Sequence, residues 1–171
     1  MTRRIAKLAA VLLLLVACAA AGLWVRQQGV GLVRISGTSM NNTLMDGDVA
    51  LVTRFDFHDG RTPVLEDVVE CRFPGRADTY VKRVMGLPGQ TVVLKGGRLT
   101  IDGFPVSEPY VSSVPEDYEI SLAGGEYLLL GDNRADSYDS RMPDVGPVGA
   151  DAFLGRVRFI VWPLDRLGPV E

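Results

Sequence analysis

The chain is poor in the residues that most hydrolases and metalloproteins rely on. Of its 171 residues, one is histidine, two are cysteine and three are lysine. The histidine lies in Phe57-His58-Asp59-Gly60, a polar turn with no nucleophile signature beside it, which disfavours a Ser-His-Asp triad. A structural or catalytic zinc needs three or four protein ligands, more than one histidine and two distant cysteines supply, so no metal and no cofactor is expected. Cys18 and Cys71 make no disulfide framework and are expected to be free, which leaves the compartment open because a well-packed domain of this size manages without cross-links. Beyond residue 29 positive charge is scarce: 14 basic residues face 21 acidic ones, a net charge of −7, against −3 for the whole chain. A domain of that sign is not a nucleic-acid binder, which would need a basic face. After residue 30 no stretch keeps a helical period over three turns, and there is no internal repeat or low-complexity tract.

What is present begins with one long apolar run. Leu8 to Val25 contains 18 residues and no charge, or roughly 27 Å as a helix, close to the hydrocarbon thickness of a bilayer. Arg3, Arg4 and Lys7 precede it and only Arg26 follows closely. That bias places the amino terminus in the cytoplasm and the rest of the chain on the far side. Two cleaved readings compete: a secretory signal cut near Ala19-Ala20-Ala21, and a lipoprotein signal at Leu15-Val16-Ala17-Cys18. The run continues apolar through Leu23, Trp24 and Val25, which favours a retained anchor. In all three readings the domain works outside the cytoplasm, here at the plasma membrane as a single-pass protein in contact with lipid.

Residues 30–171 alternate short apolar runs with Gly, Pro and Asp clusters. The runs are Val49–Val52, Val68–Phe73, Tyr80–Met85, Thr91–Leu94, Leu99–Ile101, Tyr127–Leu130 and Val157–Trp162, rich in β-branched and aromatic residues. Gly96-Gly97 sits where a hairpin between Thr91 and Ile101 needs positive φ. The pattern predicts a mainly β domain of antiparallel sheets forming a partly closed sandwich or barrel, preceded by one amino-terminal transmembrane helix. The division is 1–29 for cytoplasmic terminus and anchor and 30–171 for the β-rich extracytoplasmic domain, with a turn-rich excursion over about 95–125.

Three polar stretches carry candidate chemistry. Ser39 lies in Ser36-Gly37-Thr38-Ser39-Met40-Asn41-Asn42-Thr43-Leu44, which taken alone is a turn-prone loop. Lys82 lies in the strand-like Tyr80-Val81-Lys82-Arg83-Val84-Met85. On a sheet edge such a lysine snorkels to water; desolvated, its pKa falls and the free amine becomes a base able to serve a serine. The third stretch is Gly131-Asp132-Asn133-Arg134-Ala135-Asp136-Ser137-Tyr138-Asp139-Ser140-Arg141. Its acids hint at calcium, but Arg134 stands where a ligand oxygen belongs.

Taken together and in this order, the stretches at 37–44, 80–89 and 131–141 resemble the motif boxes of bacterial type I signal peptidases. Gly146, Val148, Gly155-Arg156 and the closing Phe159–Trp162-Pro163-Leu164 extend the resemblance over nearly the whole chain after residue 30. The resemblance implies that Ser39 is acylated by a secreted precursor and that Lys82 is the general base for both acylation and hydrolysis. It implies that Ser137 orients the Lys82 amine, while Arg83, Asp132, Asp139 and Arg141 hold the last box against the lysine strand. It puts Met40 at the membrane-facing rim of the cleft and implies precursors with small residues at the cleavage site, of the Ala-x-Ala type.

Three departures stand out. The family usually carries proline at the position of Asn42, and some members carry at Gly37 a serine that donates to the oxyanion, which leaves Thr38 as a candidate donor. The family's Arg-Gly-Asp is Leu65-Glu66-Asp67 here. Asn41-Asn42-Thr43 has the form of a glycosylation sequon, read as coincidental beside the nucleophile. The alternatives are a maturation protease of the same family with few substrates, and an inactive membrane-tethered assembly or binding module. A self-cleaving repressor-type protease is disfavoured by the anchor and the acidic domain.

Overall fold

The structure is a computed structural model that describes residues 2–27, 29–57, 61–111 and 116–171, with side chains of residues 2–6, 8–10 and 24–27 outside the described set. His58 therefore lies outside the described residues. Helix α1 runs over Thr2–Gln27, and every described side chain along it, Lys7 and residues 11–23, is exposed. Among the described residues no helix is long and apolar enough to cross a membrane. The span expected over residues 8–25 includes five whose side chains are not described.

Eleven strands follow: β1 (Val30–Arg34), β2 (Val49–Thr53), β3 (Val68–Cys71), β4 (Tyr80–Gly86), β5 (Thr91–Lys95), β6 (Arg98–Ile101), β7 (Phe104–Pro105), β8 (Tyr118–Ser121), β9 (Leu128–Leu130), β10 (Phe153–Trp162) and β11 (Gly168–Pro169). They form two antiparallel sheets. The larger has the order β1-β2-β10-β3-β4-β9, with β11 paired to β10; the smaller has the order β7-β6-β5-β8. The domain is mainly β and antiparallel as the alternating runs predict. There is no closed barrel: β1 and β9 remain edges of one sheet, β7 and β8 of the other.

Alternation along the strands divides the core. Val69, Cys71 and Val84 join Phe73, Tyr127, Leu129 and Phe153 in one cluster. Ala50, Val52, Val68, Val157 and Ile160 form a second with Ile35, Met40 and Leu44. The smaller sheet packs Val92, Leu94, Leu99 and Ile101 against Met85, Leu128 and Leu130 of the larger one, so the excursion sits against the β4–β9 end. Its hairpin closes where expected: Lys95 pairs with Arg98 across Gly96 and Gly97 at φ 55° and 78°. Those angles match the right-handed twist of the strands and are free of steric cost only for glycine.

Candidate active site

The loop from Ile35 to Asp48 joins β1 to β2 and carries Ser39. Met40 and Leu44, 2% and 0% exposed, plug into the second core cluster. The Asn41 N–H donates to Thr38 O at 3.0 Å and the Leu44 N–H to Met40 O at 2.8 Å. Two apolar anchors and two turn bonds thus fix the loop around Ser39 and leave that residue half-buried.

Lys82 lies on β4, opposite Val69 of β3, and its Nζ is 2.6 Å from Ser39 Oγ. Only 2% of Lys82 is exposed, so it does not snorkel to water. Burial pushes its pKa below the ordinary 10.5, because the ammonium form loses its hydration. The carboxylates of Asp139 and Asp132 pull the other way and Arg141 adds to the lowering. Cys71 is also buried, and its thiol is pushed up to about 12, so near neutral pH it presents no counter-charge to the amine.

The turn after β9 packs on this pair. The Asn133 N–H donates to Ser39 O at 3.0 Å, and Asn133 Nδ2 donates to Thr38 O at 3.2 Å. Gly131 occupies a place with no room for a side chain. A Cβ there would lie 2.5 Å from Ser39 O and would also collide with the Ser137 side chain. Ser137 thus flanks Ser39, and its buried Oγ, which completes no well-formed hydrogen bond, lies near Asp139 and helps hold that carboxyl ionised. The Thr38 hydroxyl, a candidate oxyanion donor, instead donates to Asp136.

Two buried ion pairs brace the site. Arg83 Nε and Nη2 donate to Asp132 at 2.9 and 2.7 Å, with side chains 1% and 0% exposed. Thr43 Oγ1 donates to the same carboxylate at 2.5 Å. Arg141 donates twice to Asp139 at 2.9 Å, and the Gly131 N–H adds a bond at 3.0 Å. Burial raises the Asp139 pKa, but the Arg141 hydrogen bonds and charge with the Gly131 N–H outweigh it and hold the carboxyl below 3.8. Of the eight residues singled out from the sequence, Ser39 and Lys82 meet directly, Ser137 lies beside them, and the two Arg–Asp pairs form as pairs. Thr38 is engaged elsewhere.

Further contacts here carried no signal in the sequence. Asn42 Nδ2 donates to Tyr110 O at 2.9 Å, Arg134 pairs with Glu108 while both are buried, and Asp136 receives Thr38. Each joins segments tens of residues apart with no local pattern to mark it. Among the described residues no group of three or more His, Cys, Asp or Glu could hold a metal.

A cavity of about 180 Å³ opens on Ser39 and Lys82, lined with Val33, Ile35, Met40 and Tyr80. A larger one of about 450 Å³ touches Ser137, Arg134 and Tyr118 but neither Ser39 nor Lys82. Beside the smaller cavity, β4 is half unpaired. Tyr80–Arg83 pair with β3, whereas β9 reaches only Arg83, Val84 and Gly86. A serine hydroxyl against a desolvated amine, next to an open strand edge, is what an acyl-transfer hydrolase acting on extended chains needs.

Comparison with known proteins agrees. The family model for signal peptidase, peptidase S26, matches residues 5–162. A signal peptidase I of Leptolyngbya laminosa is 35% identical over 145 residues, 78% of this chain and 70% of that protein. Signal peptidase I T of Bacillus subtilis is 33% identical, over 78% and 74% of the two chains. The crystal structure of a signal peptidase I from Enterococcus faecalis is 30% identical, with a TM-score of 0.51, over 56% of this chain and 97% of that one. The chain belongs to the S26 signal peptidase family and is a peptidase.

Proposed function

We propose that the chain is a membrane-anchored serine endopeptidase that removes signal peptides from secreted precursors, with Ser39 as nucleophile and Lys82 as general base. The reading is carried by one observation: a 2.6 Å contact between Ser39 Oγ and the Nζ of a lysine that is 2% exposed. The neutral amine takes the Ser39 proton as Oγ attacks the scissile carbonyl. The resulting ammonium returns that proton to the departing amine, leaving an ester at Ser39. The amine then activates the water that hydrolyses it. The Ser39 N–H is the donor assigned to the developing oxyanion, and Thr38 can join only by leaving Asp136. The buried Ser137 hydroxyl, beside Asp139, is available to orient the amine as its proton comes and goes.

The substrate lies as an added strand along the open edge of β4 at Tyr80–Lys82. A cavity of about 180 Å³, below the usual range for ligand sites, suits small side chains and supports precursors of the Ala-x-Ala type. The anchor reading is supported by the 26-residue length of α1, about 39 Å at the helical rise and more than a bilayer core. Three basic residues near its start orient the amino terminus to the cytoplasm and residues 30–171 to the far side. Just beyond the helix, Leu32, Leu51 and Phe159 pair in one row across β1, β2 and β10. Leu32 and Trp162 are 63% and 56% exposed, an apolar face suited to the membrane surface.

Purified protein in detergent should cut a precursor bearing Ala-x-Ala, and Ser39→Ala and Lys82→Ala should each abolish the cut. Cleavage that survives Lys82→Ala overturns the dyad.

A further inference from the structure

We infer that Asn42 and Tyr110 form a clasp that positions the Ser39 loop against the Lys82 strand, a role that rests on the proposed Ser39–Lys82 chemistry. The starting point is a backbone angle. Asn42 has φ 58°, a left-handed conformation that asparagine tolerates better than most residues and that proline, fixed near −65°, cannot adopt. The loop therefore follows a path closed to the proline that the resembling motif carries here. From that path the Asn42 amide donates to the Tyr110 carbonyl at 2.9 Å, across 68 residues of sequence.

The contact is one side of a closed circuit. The Tyr110 ring lies under the Arg83 guanidinium at 3.9 Å, and its hydroxyl meets Met85 Sδ at 3.5 Å. Arg83 in turn donates to Thr43 Oγ1 at 3.2 Å, and Thr43 is the residue after Asn42. The circuit runs from loop to Tyr110, to β4, and back to the loop. It includes the neighbour of Lys82 and residues three and four positions after Ser39. Glu108, two residues before Tyr110, is held by buried Arg134 of the turn that packs on Ser39. The segment leading out of β7 is thus tied to both parts that must stay in register for a proton to pass between Oγ and Nζ. Tyr110 and Asn42 touch neither; they are positioning residues that act through Arg83 and the loop backbone.

The test uses the full chain in detergent micelles with a precursor substrate. Asn42→Gly keeps the left-handed backbone and removes the amide. It should lower kcat about tenfold with KM unchanged, since a small displacement of reacting groups is costly. Tyr110→Leu should do the same, Tyr110→Phe should keep wild-type kcat because the ring remains, and the double variant Asn42→Gly with Tyr110→Leu should be little worse than either single one. Wild-type kcat in Asn42→Gly, a raised KM with kcat intact, or losses that multiply in the double variant would each overturn the clasp. Thermal melting of each variant identifies any that fails to fold, and Asn42→Gly, which makes no cavity, then decides. Cleavage by Ser39→Ala would instead overturn the dyad and leave the clasp without a reaction to serve.

Discussion

Replacing Gly131 by alanine places one methyl group where Ser39, Ser137 and the turn after β9 converge. Gly131 has no positive φ, so alanine meets no backbone strain there and the whole effect comes from contacts. The new Cβ would stand closest to Ser137 Oγ and 2.5 Å from Ser39 O. Normal contact distance requires a retreat of about 1 Å, and a misplacement of that size costs on the order of 100-fold in rate. Overpacking of this kind costs about 1–3 kcal/mol in stability, which leaves most of the chain folded. We expect kcat for precursor cleavage to fall about 100-fold while the circular-dichroism melt moves down by only a few degrees. Gly124→Ala, where a Cβ meets nothing within 4 Å, is the control and should be silent in both measurements. Full kcat in folded Gly131→Ala would refute the idea that this close approach sets the position of Ser39.

Further outcomes follow from the same structure. In the proposed mechanism Lys82 works as the free amine, and because its pKa lies below 10.5, kcat/KM should rise with pH through that titration. Asp139 is the strongest charge opposing the lowering, so Asp139→Asn should move the acid limb to lower pH, and a shift to higher pH refutes the assignment. The same change strands Arg141 and should destabilise the fold by about 3–5 kcal/mol; since the native carboxyl titrates below 3.8, its stabilisation is present above 3.8 and lost as pH falls from there through the lower native value. Glu66 sits at φ 70°, where the resembling motif has glycine, so Glu66→Gly should raise stability by up to about 1 kcal/mol in urea unfolding. Destabilisation there would mean that the side chain contributes more than its backbone costs.

The strands were legible where one face is buried and turns are marked. The Thr91–Ile101 hairpin and the runs at residues 49, 68 and 80 announce themselves by β-branched residues and glycine pairs. β1 and β8 were not, because Val30–Arg34 abuts the apolar helix and Tyr118–Ser121 alternates exposed and half-buried positions without strong hydrophobicity. Lys82 shows the limit at the site. Alternation places it on a face, but its 2% exposure depends on packing against β3 and the Ser39 loop, neither of which is near it in sequence. Asn42 likewise reads as a turn former, and its partner 68 residues away leaves no trace in the chain between them.

The buried charges around the pair have a common logic. An ion pair withdrawn from water adds little to stability, since desolvation offsets attraction, so Arg83–Asp132 and Arg141–Asp139 need another reason to be there. Each carboxylate, unpaired, would favour the Lys82 ammonium and oppose its use as a base. Arg141 offsets part of that field, and each arginine, through its planar fork, fixes where its carboxylate points. The carboxylates then receive Thr43 Oγ1 and the Gly131 N–H, one from the Ser39 loop and one from the turn that holds Ser39 O. Pairing thus leaves burial as the dominant influence on the amine and turns the same charges into the struts that keep a hydroxyl 2.6 Å away from it.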